Sequence, residues 1–261
     1  PHNQPVTWVT FSRDDRMLIS GTKDGTINHW NAKNGELIQK WKAHIGTITD
    51  IRVSPDGKII ASSGIDNTVR LWNIQGNSLG QHEQFVRSVN FSPDGKSIVS
   101  ASADKTAKIW DLNGKLLQTL QGHKDRVTTA KFSPDGKTLA TASTDETVKI
   151  WSVDGQLLKT FINAHNDNIT RLSFSPDGKT IATASNDTTV KLWTLDGNLL
   201  TTLVGHKNVV NDVSFSPDGR MIASASNDNT IKLWNRDGKL LQTLRGHKGL
   251  VWAVSFSPDG K

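Results

Sequence analysis

The sequence predicts an all-β protein built from about six and a quarter tandem copies of one four-stranded antiparallel unit. The phrase SPDG recurs at positions 54, 92, 133, 175, 216 and 257, with a degraded copy, SRDD, at 12, so the intervals are 38 to 42 residues. A histidine recurs at 2, 44, 82, 123, 165, 206 and 247, and a tryptophan at 30, 72, 110, 151, 193 and 234. Between these markers lie short runs rich in Val, Ile, Thr, Leu and Ala, broken by Pro, Asp and Gly. A fixed period in this range means that each unit buries its faces only against its neighbours.

Within a unit the elements follow in order. In the fourth copy VTTAKFS (127–133) meets TLATAS (138–143) across SPDGK, TVKIWS (147–152) follows a short turn at Thr144–Glu146, and LLKTF (157–161) closes the unit after VDG. Alternation and punctuation of this kind read as strands and hairpins. In SPDG, proline suits the first central position of a type I turn and glycine supplies the left-handed residue that returns the chain. No stretch reads as a helix of useful length.

Each of the first six of these histidines is followed 22 residues later by an aspartate (Asp24, Asp66, Asp104, Asp145, Asp187 or Asp228), and each aspartate six residues later by the tryptophan. All length variation falls between tryptophan and the next histidine. The predicted blades are therefore 1–42, 43–80, 81–121, 122–163, 164–204 and 205–245 of one domain, 1–261. The gap from Trp72 to His82 is 10 residues against 13 or 14 elsewhere, which predicts a short or frayed outer strand around SLGQ. Such an edge could pair with another strand.

Copies such as GH…FSPDGK…ASASNDNTIKLWN resemble the WD40 repeat, and the resemblance covers the whole chain. The linker style LDGNLLTTLVGH is similar to the regular arrays of bacterial WD40 proteins. The resemblance implies a β-propeller of four-stranded antiparallel blades. Residues 246–261 then read as a partial blade, the first strand of a seventh, as in a truncated seven-bladed propeller. A closed six-bladed ring is the alternative.

Four residues before each aspartate stands a hydroxyl, so the units hold His2, Ser20, Asp24 and Trp30; His44, Ser62, Asp66 and Trp72; His82, Ser100, Asp104 and Trp110; His123, Thr141, Asp145 and Trp151; His165, Thr183, Asp187 and Trp193; His206, Ser224, Asp228 and Trp234. A Ser–His–Asp set invites a hydrolase reading. Against it, the set recurs six times, and serine and threonine interchange at the hydroxyl. In WD40 proteins the matching residues form a hydrogen-bonded network inside each blade, and the resemblance implies that role here. Buried polar groups need such partners.

Other chemistry is excluded more directly. The chain has no cysteine, which removes disulfides and thiolate sites. One histidine per blade does not converge on an ion, and no Gly-rich phosphate loop is present. No cofactor or metal is expected, and no enzyme. There is no signal peptide or membrane-spanning run, which points to a cytoplasmic chain.

The net charge is +6 and the pI about 9.5. Lysines recur in the same slots (Lys58, Lys96, Lys137 and Lys179; Lys108, Lys149, Lys191 and Lys232), which rings the array rather than forming one stripe. They are not interleaved with aromatics as a nucleic-acid platform requires.

Function is expected where copies differ on exposed loops. In WD40 proteins partners engage one narrow face. The matching positions lie three and five residues after histidine and just before aspartate. Most are small or polar there; Ile65, Phe85 and Arg87 stand out, with Arg126 beside them, and Val209, Leu250 and Trp252 make a second cluster. Aromatics and arginines are the usual interface anchors. Phe85 and Ile65 could instead fill space left by the short linker, and Trp252 could be core. Trp41 matches Leu120, Phe161, Leu203 and Leu244, which are core-type residues. The expected function is a non-catalytic protein- or peptide-binding scaffold, as an interaction or sensing module of a larger signalling protein with further domains. An RNA-binding propeller and an enzyme with one specialised blade are the rivals; Asp50, Arg171 and Asp212 lie near the channel mouth without forming a pair.

Overall fold

Among the described residues every one of the 24 elements is a β-strand, and they form six four-stranded sheets in chain order. The computed structural model describes residues 3–12, 14–72, 77–257 and 259–260, so His2 lies outside the described residues. The first sheet holds β1 (Val6–Phe11), β2 (Met17–Thr22), β3 (Thr26–Asn31) and β4 (Leu37–Lys42). The second holds β5 (Ile48–Val53), β6 (Ile60–Gly64), β7 (Thr68–Trp72) and β8 (Asn77–Gln81). The third holds β9 (Val86–Phe91), β10 (Ser97–Ser102), β11 (Thr106–Asp111) and β12 (Leu116–Gln121), and the fourth β13 (Val127–Phe132), β14 (Thr138–Ser143), β15 (Val148–Ser152) and β16 (Leu157–Phe161). The fifth comprises β17 (Ile169–Phe174), β18 (Thr180–Ser185), β19 (Val190–Thr194) and β20 (Leu199–Leu203). The sixth comprises β21 (Val210–Phe215), β22 (Met221–Ser226), β23 (Ile231–Asn235) and β24 (Leu240–Leu244). These are blades of the β-propeller type. The chain divides into two compact units, 1–132 and 133–261.

The cores lie between blades rather than within them. In the first unit Trp8, Ile19 and Ile27 of blade one meet Ile48 and Ile51 of blade two, with Trp41 and Trp72 alongside. Ala61, Val69 and Leu71 of blade two meet Val86, Val89 and Ile98 of blade three. In the second unit the cluster around Val148, Ile150 and Phe161 takes in Ile169, Leu172 and Ile181 of blade five. Val190, Leu192 and Leu203 meet Val210, Val213 and Ile222 of blade six. A sheet with two apolar faces is stable only when both are covered, so a lone blade would not fold.

The SPDG turns work as the sequence chemistry dictates. In the second blade Ser54 Oγ–H donates to Asp56 Oδ1 (2.6 Å), the Ile59 N–H donates back to Ser54 Oγ (2.9 Å), and Gly57 has φ 74°. In the first blade Asp15 takes the glycine's place at φ 57°. Successive turns nest. A Cβ at Gly95 would sit 3.3 Å from Pro55, and one at Gly219 would sit 3.3 Å from Pro176.

Two expectations change. The outer strand β8 is neither short nor frayed: it has five residues, as β16, β20 and β24 do, and pairs with β7 from Thr68↔Gln81 to Leu71↔Asn77. The shorter linker is absorbed by a displaced bulge and by the connection after β8, where His82 follows Gln81 directly. In the other described third-to-fourth strand pairs the bulge lies between the tryptophan and the residue before it. Here it lies between Val69 and Arg70.

The second correction concerns residues 246–261, whose described part forms no strand. The segment docks on blade six instead. The Val251 N–H donates to the Ser226 carbonyl (3.2 Å) and the Val254 N–H to Asp212 Oδ2 (3.0 Å). Among the described residues no strand follows β24.

Candidate functional site

The tetrads come together as continuous hydrogen-bond chains. In blade three His82 Nδ1 lies 2.7 Å from Asp104 Oδ2, His82 Nε2 lies 2.7 Å from Ser100 Oγ, and Trp110 Nε1–H donates to Ser100 Oγ at 2.8 Å. Blades two, five and six repeat this through His44, Ser62, Asp66 and Trp72, through His165, Thr183, Asp187 and Trp193, and through His206, Ser224, Asp228 and Trp234. In blades one and four the tryptophan bond is present, Trp30 to Ser20 and Trp151 to Thr141, both at 2.8 Å. His123 is buried.

The proton assignment follows by elimination. An indole N–H only donates, so the hydroxyl accepts it and donates its own proton to His Nε2. The histidine is then neutral, with its proton on Nδ1 and directed at the carboxylate. Burial lowers the His44, His82 and His206 imidazoles below their ordinary 6.5, although the aspartates oppose the shift. For the aspartates burial acts upward, yet hydrogen bonds outweigh it. Those from His82 and Thr106 hold Asp104, and those from His165 and Thr189 hold Asp187, well below the ordinary 3.8. Asp228 is held low in the same way by Thr230, the Lys207 N–H and His206.

One member of this network escapes the sequence reading. A threonine stands two residues after every aspartate (Thr26, Thr68, Thr106, Thr147, Thr189 and Thr230). Thr106 gives Asp104 Oδ1 both its hydroxyl (2.6 Å) and its backbone N–H (2.9 Å). Its invariance among the copies was the available signal. His29 is the other. It occupies the slot of Leu71, Ile109, Ile150, Leu192 and Leu233, and its buried Nε2 finds no partner among the described residues.

The positions that vary between copies gather at one end of each blade. The N–H of the residue before the aspartate donates to the carbonyl three residues after the histidine. These pairs are Lys23 with Pro5, Ile65 with Thr47, Ala103 with Phe85, Asn186 with Asn168, and Asn227 with Val209. Ile65 is 49% exposed, Phe85 is half-buried, and Arg87 and Arg126 are exposed. The Arg87 and Arg126 guanidinium carbons lie 5.7 Å and 5.9 Å from the Phe85 ring centroid. In the second unit Val209 is half-buried while Leu250 and Trp252 are 48% and 62% exposed.

The position five after histidine behaves differently from its neighbours. It is the extra residue of a bulge in the first hairpin of blades one, two, three, five and six. A bulge re-aims the side chain. Accordingly Thr7, Thr49 and Thr170 donate to the carbonyls of Ile48, Val86 and Val210 in the next blade, at 2.7, 2.5 and 2.6 Å. Asn211 reaches the Val251 carbonyl at 2.8 Å. Asp50 is also structural: it is fully buried, accepts the Val89 N–H and lies 3.4 Å from Arg52.

The pattern described as WD domain, G-beta repeat matches residues 1–31, 35–73, 197–235 and 238–261, just over half of the chain. The chain belongs to the WD40-repeat family. Within it, residues 85–197 match the group described as the IFT122 first beta-propeller. Among similar WD40 proteins is eukaryotic translation initiation factor 3 subunit I. That of Neurospora crassa is 40% identical over 78 residues, 30% of this chain and 22% of that protein. That of Botryotinia fuckeliana is 39% identical over 74 residues, 28% of this chain and 22% of that protein. The matched stretch thus spans about a fifth of these relatives' length. Among the described residues no helix is long and apolar enough to cross a membrane.

Proposed function

We propose that this WD40 chain is a non-catalytic scaffold that binds protein or peptide partners through the end of its blades where the copies differ. One observation carries the reading. The tetrads are internal and hydrogen-bonded, whereas the variable positions sit on backbone-paired loop ends with large side chains exposed. A rigid frame carrying varied loop tips suits recognition. In the tetrads of blades two, three, five and six the hydroxyl is fully buried and its oxygen accepts an indole N–H, which disfavours a hydrolase. The relatives named as a subunit of a translation initiation factor support work within a multi-protein assembly rather than a signalling role specifically.

An RNA-binding role is less favoured. Lys149 and Lys232 are buried and bonded to Thr160 and Thr243, and Lys191 Nζ donates to the Ala164 carbonyl at 3.0 Å. These third-strand lysines hold neighbouring strands instead of facing phosphates.

The test is capture of partners on the immobilised chain with and without ribonuclease, comparing wild type with Phe85→Ala plus Arg87→Ala and with Leu250→Ala plus Trp252→Ala. The scaffold reading expects a protein that is retained after ribonuclease, binds directly when purified, and is lost with one of the two double variants. Binding that disappears with ribonuclease and falls steeply with salt would instead establish the RNA reading. Unchanged capture by both variants would discard both clusters.

A further inference from the structure

We propose that Asn113 is a site of spontaneous deamidation, in which attack by the Gly114 main-chain nitrogen converts its side-chain amide to a carboxylate. The chain has two Asn–Gly dipeptides, Asn34–Gly35 and Asn113–Gly114, and each lies in the turn between the third and fourth strands of its blade. Glycine has no Cβ to keep the preceding side chain away from its nitrogen, so this dipeptide allows the close approach that the reaction needs. Both asparagines are exposed, and both glycines have positive φ, 73° at Gly35 and 89° at Gly114. The two turns differ in which side chain holds them.

In the blade-one turn Asn34 is itself a fastening. Its Oδ1 accepts the Glu36 N–H at 3.0 Å, and its Nδ2 donates to Glu36 Oε2 at 3.3 Å. The Gly35 N–H donates to the Asn31 carbonyl at 2.9 Å. In the blade-three turn Asp111 does the holding. Its Oδ1 accepts the Asn113 and Lys115 N–H groups at 2.9 and 2.8 Å, and its own N–H donates to the Lys115 carbonyl at 3.0 Å. The Asn113 side-chain amide bonds to none of the described residues, so it is free to change rotamer. The Gly114 N–H reaches the Asp111 carbonyl at 3.2 Å, the long end of the normal range. Blade three therefore has both the looser nucleophile and the looser amide.

The step balances with water alone. The Gly114 nitrogen gives its proton to hydroxide and bonds to Asn113 Cγ, and the side-chain nitrogen takes a proton from water and leaves as ammonia. Water then opens the resulting five-membered imide at either carbonyl. One opening leaves an ordinary aspartyl residue; the other leaves an isoaspartyl residue, whose main chain runs through the former side chain. The aspartyl product already has its counterparts. Blades four, five and six carry Asp154–Gly155, Asp196–Gly197 and Asp237–Gly238 at this place, with glycine φ of 89°, 85° and 92°. The isoaspartyl product adds a methylene to the main chain and displaces the N–H groups that Asp111 holds, at the turn that closes β11 onto β12.

The test is incubation of the folded full chain at mildly alkaline pH in water enriched in heavy oxygen, followed by digestion and peptide mass spectrometry. Conversion during the incubation takes up heavy oxygen, which separates it from any that came before. Asn113 is expected to convert roughly fivefold or more faster than Asn34, because Asn34 must first give up its bonds to Glu36. In concentrated urea, where neither turn persists, the two rates should converge. Asn113→Gln, whose longer side chain closes a larger ring far more slowly, should abolish conversion at that position. Asn113→Asp, which reproduces the aspartyl product, should melt within about 2 °C of the wild type. Asn34 converting as fast as Asn113 in the folded chain would overturn the proposal. So would an unchanged ratio in urea, or no conversion at Asn113 over a period in which the unfolded chain converts.

Discussion

Thr183 offers a direct measurement of what a tetrad contributes, because all four members of its network lie within blade five. The side chain is fully buried; its hydroxyl accepts Trp193 Nε1–H at 2.9 Å and lies 2.7 Å from His165 Nε2. Thr183→Val preserves the shape and deletes the hydroxyl, leaving one buried donor and one buried acceptor unpartnered. Each such group costs about 1–3 kcal/mol, so the variant should lose roughly 2–6 kcal/mol. Thr183→Ser keeps the hydroxyl and removes a methyl, for about 1 kcal/mol. Set against a typical total of about 5–15 kcal/mol, the first loss is large and the second small. Urea denaturation followed by tryptophan fluorescence, paired with calorimetry, reads both. At about 2–4 °C per kcal/mol for chains of this size, the valine variant should melt well below the serine one. If the two variants lie within about 1 kcal/mol of each other, the hydroxyl chain does not stabilise the blade and the account given for it is wrong.

Further outcomes follow from the same geometry. Buried neutral His44, His82 and His206 bind protons more weakly folded than unfolded, so stability should fall as pH drops through their ordinary 6.5. A second loss should begin near the ordinary carboxylate value of 3.8 as the hydrogen-bonded Asp104, Asp187 and Asp228 are forced to protonate. Urea midpoints measured from pH 8 downward test both, and a flat profile across the histidine range would contradict the first. Thr188 is a β-branched residue at φ 72° where Asn67 and Asn229 stand in other blades, so Thr188→Asn should stabilise by about 1 kcal/mol in calorimetry. His29→Leu removes an unpartnered buried nitrogen from a slot that is leucine or isoleucine elsewhere. It should raise the urea midpoint by the equivalent of about 1–2 kcal/mol.

Much of the fold was legible because one bond chain sets one spacing. Histidine, hydroxyl, aspartate and tryptophan must meet atom to atom, so the distances between them along the chain cannot drift, and the repeat stands out by eye. The SPDG turns were legible for a similar reason, since serine, aspartate and glycine each satisfy a local requirement. What escaped was register. A simple two-residue alternation does not foretell that Thr7, Thr49, Thr170 and Asn211 are bulge residues turned toward the next blade. Arg87 shares that bulge position, so its place beside Phe85 appears only once the bulge is seen. The length of β8 is not legible in the Trp72-to-His82 gap, because a shifted bulge and a shorter connection after the strand absorb the missing residues. The threonines after each aspartate were visible and unread.

The bulge residues have a consequence for how such a chain can grow. Each bond they make between blades runs one way, from a side chain of one blade to a main-chain carbonyl of the blade after it. A blade therefore has a donating side and an accepting side, like a plug and a socket, and its two faces are never interchangeable. Contacts of this head-to-tail kind repeat without limit until something closes or caps them. Copying one unit in frame inserts a plug and a socket together and creates no new type of junction. Reversal or exchange of half a unit would mismatch both. Lengthening by whole-unit duplication is thus built into the joint itself, and neighbours as alike as blades four, five and six are what that mode of growth would leave behind.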